Sequence, residues 1–295
     1  MTSLLRRVRT TLSIHAHRRV RGMLDGEYAS VFHGRSLEFD DVRPYVAGDE
    51  VKDVDWKATA RLGTLMTRRY VASRKHTILL VVDAGRNMAA TSASGESKRD
   101  VAILAAGTAG YIAAHHGDLV GLVTGDSAGT VYLRPSSTEA HLERMLQTVH
   151  DRVGLEAAPG DLSEQLDFVA RTLKRGPVLV VVADDRPLSP VEERELRRLR
   201  VRHEILWITI ADADLMSAEL APLGMTDVVA GSALPSALRR DVALRAQFQA
   251  SVAAAEATAT DLFDSLGISR VRVGGASEVV PAFFRLLESH RHARR

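Results

Sequence analysis

Residues 78–82 are five consecutive apolar side chains, and the next residue is Asp83. The pattern recurs at 178–183, which runs apolar into Asp184, and again at 205–210. A strand without polar alternation has both faces covered, which demands a mostly parallel sheet between two layers of helices. None of these runs approaches the ~20 residues needed to span a bilayer.

The segments between these runs have helical spacing. Val101, Leu104, Ala105, Thr108 and Ile112 form one stripe of a helix over 97–116. Leu142, Met145, Leu146 and Val149 mark a second helix. Leu162, Leu166, Val169 and Leu173 mark a third, with Asp161 as its cap. Pro190 opens a fourth over 191–200. Strands are expected at 119–124 and 130–133, around a turn at 125–127, at 228–229, and at 271–273. An Ala-rich helix is expected over 236–266, and a closing helix over 278–289 with Val279, Phe283, Leu286 and Leu287 inward. This alternation predicts an α/β fold, a doubly wound mostly parallel sheet of Rossmann type, with its ligand crevice at the carboxyl ends of the strands.

Before that domain lie two different segments. Residues 1–25 predict a basic amphipathic helix, with Leu4, Leu5, Val8, Leu12, Val20 and Met23 on one side and arginines at 6, 7, 9, 18, 19 and 21. Such a helix either packs on its own domain or docks on a membrane surface or a partner. Residues 26–75 lack long periodicity and predict a small β-rich extension, with extended pieces near Val31, 37–39, 65–67 and 70–71. The main domain is expected over 76–290.

Composition narrows function mostly by exclusion. The chain has 295 residues, 45% apolar and 26% charged, a soluble globular mixture. It has no cysteine, which removes disulfides and thiolate metal sites and fits a reducing compartment. Lys plus Arg is 39 against 37 acids, and a net charge of +2 gives no firm nucleic-acid signal. No h-region follows the N-terminal arginines, so no secretory signal is expected. The expected location is cytoplasmic, with the basic helix as a peripheral membrane contact.

Enzymatic motifs are missing as well. A haloacid-type phosphatase needs Asp-x-Asp after an apolar strand, and the second position here is Gly85. There is no Gly-x-Ser-x-Gly elbow, no phosphate-binding Gly-x4-Gly-Lys-Ser/Thr loop and no His-Glu-x-x-His. Gly107-Thr108-Ala109-Gly110 lies inside a helical pattern and predicts close packing, and His115-His116 falls at that helix's end. No enzyme activity is expected.

The extension carries a dense set of special residues: Gly34-Arg35 with Glu38-Phe39, Arg43-Pro44-Tyr45, Gly48-Asp49, Asp55-Trp56 and Ala60-Arg61. With Asp83-Ala84-Gly85-Arg86-Asn87 downstream, these segments resemble the bacterial domain-of-unknown-function family fifty-eight. Its members carry a von Willebrand factor A-like domain. Ser36 departs from the Gly usual there. The resemblance implies a non-enzymatic adaptor or accessory factor to a MoxR-type AAA+ ATPase in protein maturation or stress response. Other von Willebrand factor A or transglutaminase-like proteins would be further partners. Glu38, Arg43, Asp49, Asp55, Trp56 and Arg61 are the candidate partner-binding residues. The competing view is structural: aromatic anchors (Phe39, Tyr45, Trp56) pin the extension to the sheet domain, and Arg–carboxylate pairs hold it in shape.

The resemblance also implies a divalent-cation site of the adhesion type. The family-like ligands would be Asp83, Asn87 and Asp184. Gly85 and Gly160 stand where hydroxyl ligands belong, with Asp161 as a substitute if the loop shifts. Weak Mg²⁺ binding is the most such a depleted shell supports. Three alternatives therefore compete: a protein-interaction module, a metal-dependent ligand-binding domain, and a membrane-surface or nucleic-acid binder. Within the crevice, the acids either bind backbone N–H groups or pair with Arg86.

Overall fold

The computed structural model describes residues 3–15, 38–46, 49–50, 53–71, 76–173, 176–214, 226–233 and 241–293. The chain divides into two compact units, residues 28–75 and the remainder.

The larger unit is built on a six-stranded sheet. Its strands are β3 (Thr77–Asp83), β4 (Leu119–Asp126), β5 (Gly129–Ser136), β6 (Val178–Asp184), β7 (Glu204–Ile210) and β8 (Ser269–Val273). Their order is β5-β4-β3-β6-β7-β8. All pairings are parallel except β4 with β5, a hairpin closed at Asp126 and Gly129. The chain leaves β3 toward one edge and later returns to β6 on its other side. The switch point of this doubly wound sheet therefore lies between β3 and β6, at Asp83 and Asp184.

The apolar runs are buried on both faces, as expected. Leu79, Val81, Leu179, Val181, Ile205 and Trp207 point to one side. They meet α5 (Leu162–Thr172), α6 (Pro190–Arg200) and the last turn of α7 (Val242–Leu266), with Trp207 and Phe263 rings 4.9 Å apart. Each such aliphatic or aromatic side chain gains about 1.5–3 kcal/mol on burial. The other face is covered by α3 (Lys98–His115), α4 (Glu139–Arg152) and α8 (Ala276–Ala293). On α3, a Cβ at Gly110 would stand 2.7 Å from Leu142 Cδ1 and 3.5 Å from Leu80 Cδ1, so the helix lies close against both sheet and α4 only because the residue is glycine.

The amphipathic N-terminal segment forms α1 (Leu4–His15). Leu5, Val8 and Leu12 are buried against α3 and α4. Val8 sits over Gly107, where a Cβ would lie 2.5 Å from its Cγ2. Close helix packing thus accounts for the small residues of α3. The expected residues Val20 and Met23, and Arg18, Arg19 and Arg21, lie outside the described residues. Arg7 and Arg9 make exposed ion pairs with Asp100 and Glu139.

The smaller unit holds an antiparallel pair, β1 (Glu38–Pro44) and β2 (Met66–Val71), with α2 (Trp56–Leu62) between them. The strands were expected; the helix was not. Its signals are local: Asp55 accepts the N–H groups of Lys57 and Ala58, and Gly63 ends it in the left-handed region at φ 69°. The extended pieces near Val31 and at Leu37, and residues 236–240 of the Ala-rich helix, lie outside the described residues.

One expected strand is corrected. Residues 228–230 form a turn, because the Asp227 carboxylate accepts the N–H groups of Val229 and Ala230. That local bonding overrides the strand preference of two adjacent valines.

Candidate functional site at the sheet switch point

Asp83 and Asp184 converge where β3 and β6 end. Asn87 lies between them on a short 3-10 turn (Arg86–Ala89). Its side-chain amide donates to Asp83 Oδ2 at 2.7 Å and to Asp184 Oδ2 at 3.0 Å. Two carboxylate oxygens require a donor, so the amide nitrogen faces them and the amide oxygen points away. Backbone N–H groups complete the shell: Gly85 donates to Asp83 Oδ1 at 2.9 Å, and Asp185 to Asp184 Oδ1 at 2.8 Å.

The expected pairing with Arg86 is not the one that forms. Arg86 Nε donates to the Ala157 carbonyl at 2.9 Å, and its backbone N–H to the Ala158 carbonyl at 2.9 Å. Arg86 therefore clamps the 157–160 loop over the 3-10 turn. Gly160 is brought so near that a Cβ there would lie 2.3 Å from Asn87 Oδ1. A Cβ at Gly85 would lie 2.2 Å from Gly160 Cα. At these two positions, where the resemblance implied hydroxyl residues, no side chain fits between the backbones. Asp161, the expected substitute ligand, instead caps α5 by accepting the Ser163 N–H.

The internal cation is Lys98, the first residue of α3. Its Nζ donates to Asp184 Oδ1 and, at 2.6 Å, to Asp212 Oδ1. Lys98 is fully buried, at 0% exposure. Burial alone would lower its pKa, but Asp184 and Asp212 outweigh it and hold the ammonium above its ordinary value. A cation at a helix N-terminus also opposes the macrodipole, so the two carboxylates have to hold it there. The 91–93 segment positions the pair by bridging backbone to 211–213, after β7. Burial pushes Asp83 up, against the hydrogen bonds from Gly85 and Asn87. Asp212 is pushed up to about 6, by burial first and by Asp184 and Asp185, with Lys98 opposing. Arg186 stands nearby, its guanidinium bonded to the buried Glu192 at 2.9 Å.

Sequence reasoning found Asp83, Asn87 and Asp184 but missed Lys98 and Asp212. Lys98 sits in a polar stretch, Glu96-Ser97-Lys98-Arg99-Asp100, and resembles any solvated helix start. Its signal was position: the first helical residue, on the wrong end of the dipole for a lysine.

These residues do not fit a divalent cation as they stand. Asn87 turns its nitrogen, not its oxygen, to the acids. Asp184 already carries an ammonium. A doubly charged ion about 4 Å from that ammonium would be repelled by about 8 kcal/mol at an effective dielectric near 20. The cavity lined by Asp83, Asp184, Arg186 and Trp207 measures about 10 Å³, room for one water at most. A larger depression of about 430 Å³ lies along α7, β8 and α8. Both of its arginines are paired: Arg270 bonds Glu256 at 2.7 and 3.0 Å, and Arg272 bonds Asp185 at 2.6 and 2.8 Å.

The candidate partner-binding residues divide by role. Arg43 bonds Asp49 at 2.6 Å, and Asp49 also accepts the Val46 N–H at 3.0 Å. The Val46 hydrogen bond first, then Arg43, holds the Asp49 carboxyl below its ordinary value. Asp55 is the α2 cap. These three shape the smaller unit. Trp56 is 65% exposed, and Arg61 is exposed on the same helix. Glu38 pairs through its backbone with Val71, and its side chain, like that of Phe39, lies outside the described residues.

The family model described as "Protein of unknown function DUF58" matches residues 41–258. Two relatives, the uncharacterized proteins Rv1480 of Mycobacterium tuberculosis and Mb1516 of Mycobacterium bovis, are each 30% identical over 249 residues, covering 83% of this chain and 76% of theirs. Among solved structures, an aerotolerance-related membrane protein from Bacteroides fragilis matches with a TM-score of 0.44 and 11% identity, over 72% of this chain and 98% of that one. A von Willebrand factor type A protein from Catenulispora acidiphila matches with a TM-score of 0.41 and 9% identity, over 76% of this chain and 44% of that one.

Proposed function

This chain belongs to the DUF58 family of proteins of unknown function, and we propose that it is a non-enzymatic protein-interaction module. The observation that carries this reading is the state of the strand-end acids. Each of Asp83 and Asp184 is engaged by Asn87 and a backbone N–H, and Asp184 also by Lys98. A general base needs a carboxylate within reach of a substrate proton, and a nucleophile needs an open approach. Neither acid offers that, so this end of the sheet serves as a rigid docking face. Trp56, with Arg61 on the same short helix, supplies a second docking surface of the type that anchors protein interfaces.

The finer role is that of an adaptor to a MoxR-type AAA+ ATPase, in protein maturation or stress response. This comes from the family resemblance. The metal-dependent alternative is disfavoured because the Asn87 amide nitrogen and the Lys98 ammonium already engage the carboxylates it would need. The membrane-surface alternative loses the apolar side of α1, since Leu5, Val8 and Leu12 are buried in the larger unit. No helix of the described residues is long and apolar enough to cross a membrane.

The test is retention of the host's MoxR-type ATPase on the immobilised full-length chain, with ATP, with ADP and without nucleotide. Retention in at least one nucleotide state is expected. Its absence in all three overturns the adaptor role.

A further inference from the structure

Lys98 and Asn87 together engage both oxygens of Asp184 and one oxygen each of Asp83 and Asp212. From this geometry we infer that Lys98 is a resident counter-ion. It makes the switch-point crevice a self-neutralised site that excludes divalent cations, and its removal uncovers a latent divalent site. This deepens the interaction-module reading, since partner docking at this face then needs no metal.

The ammonium lies among acids from two separate strand ends. It bonds Asp184 on β6 and Asp212 after β7, and Asn87 links Asp184 to Asp83 on β3. Three carboxylates are thus drawn together, a charge density that needs a cation at its centre. A hard divalent cation surrounded by oxygen ligands is one solution. A buried ammonium with three donors is another, and this chain has adopted it. The two exclude each other, because both need Asp184.

A second observation shows that the oxygen set for a metal is nearly present. Asn87 Oδ1 is buried without a hydrogen-bond partner. Asn87 itself is 7% exposed. A half-turn of the amide would exchange nitrogen for oxygen between the carboxylates. In the native protein that turn would set an acceptor against Asp83 and Asp184, so it is forbidden. With the ammonium gone and a divalent ion in its place, the same turn adds a fourth oxygen. Truncating Lys98 to Ala also vacates the volume of four heavy atoms against Asp184, which gives a partly hydrated ion the space it lacks.

The experiment uses the full-length chain and Mn²⁺ as probe, followed by electron paramagnetic resonance and thermal melting. Native protein should retain no stoichiometric Mn²⁺, and its melting temperature should be the same in EDTA, Mg²⁺ and Mn²⁺. Lys98→Ala should bind one Mn²⁺ per chain. At ten times its own dissociation constant, Mn²⁺ should raise the variant's melting temperature by about 3–6 °C. Lys98→Met removes the charge but keeps the volume filled, and should bind none. Adding Asp184→Asn to Lys98→Ala should abolish binding. Stoichiometric Mn²⁺ on the native chain that Asp184→Asn removes would overturn the inference. A folded Lys98→Ala that binds no Mn²⁺ would do the same. If Lys98→Ala folds only with help, its refolding yield should be at least tenfold higher in Mn²⁺ than in EDTA, and equal failure in both overturns the idea. The readout is metal retention, so a failed ATPase pull-down leaves it standing, and a successful one does not rescue it.

Discussion

Gly160 carries as much of the site as the acids do. Its missing side chain lets the 157–160 loop press on Asn87 and hold its amide between the two carboxylates. Gly160→Ala places a Cβ 2.3 Å from Asn87 Oδ1, and either the loop lifts or the amide leaves the carboxylates. The expected cost is about 1–3 kcal/mol from overpacking, measured by urea unfolding. Gly154→Ala is the matched control in the same connection, because a Cβ there meets nothing within 4 Å; it should be neutral or stabilise by up to about 1 kcal/mol. Equal effects from the two would show that the close approach at Gly160 has no energetic weight. At this scale the sequence was legible where a residue's role follows from its neighbours along the chain. Asp83 and Asp184 were visible because each ends an apolar run. Gly160 could be aligned with a ligand position, but its contact with Asn87 could not be seen. Lys98 was hidden because its partners lie 86 and 114 residues away.

Elements show the same division between local and distant causes. The capped helix α5 and the Pro-started α6 were expected and form where local chemistry puts them. The N-terminus of α1 is different: the local Ser3 hydroxyl accepts the Arg6 N–H at 3.3 Å, but the rest of the cap comes from another helix. Glu143 on α4 accepts the N–H groups of Leu4 at 3.0 Å and Leu5 at 2.7 Å, and the Ser3 hydroxyl at 2.8 Å. No spacing rule within residues 1–15 points to a carboxylate 138 residues on. Burial alone would raise the Glu143 pKa, but its hydrogen bonds, led by Leu5, outweigh burial and hold it below its ordinary value of 4.5. The sign follows: the folded state favours the ionised form, so this stabilisation is present above pH 4.5 and is lost as pH falls through the depressed folded value. Glu143→Ala should cost about 0.5–2 kcal/mol, the range for a lost N-cap. It should also speed amide exchange across residues 4–12 while leaving β3 and β6 protected, and it should flatten the acid limb of the stability curve. Unchanged exchange in α1 would mean that the burial of Leu5, Val8 and Leu12 holds the helix without its cap.

For the whole molecule, the placing of the strands along the chain was the most legible property and partner recognition the least. All six sheet strands were expected within a few residues of their observed bounds, most of them because buried parallel strands are written as uninterrupted apolar runs or nearly so. The two-residue gap of the β4–β5 hairpin is short enough to make that pair antiparallel. The smaller unit followed no such rule. Its acids and arginines mixed two purposes that sequence could not separate. Asp49, Asp55 and Arg43 hold its turns and cap, whereas Trp56 is 65% exposed. That separation predicts opposite outcomes for neighbouring substitutions. Asp55→Ala removes two capping bonds to α2 and should destabilise the chain by about 1 kcal/mol. Trp56→Ala removes a ring that is mostly in water already, so its unfolding midpoint should shift by no more than about 0.5 kcal/mol in stability. If Trp56 is an interface anchor, the same variant should weaken retention of the ATPase by at least ~30-fold, the scale of a 2 kcal/mol hot spot. Stability and binding are read on one preparation, by thermal melting and by titration against the ATPase. A Trp56→Ala chain that melts normally and binds normally would assign the docking role to the strand-end face alone. One that loses both together would make Trp56 a structural residue of the smaller unit, and the division of labour between cap and anchor would fail.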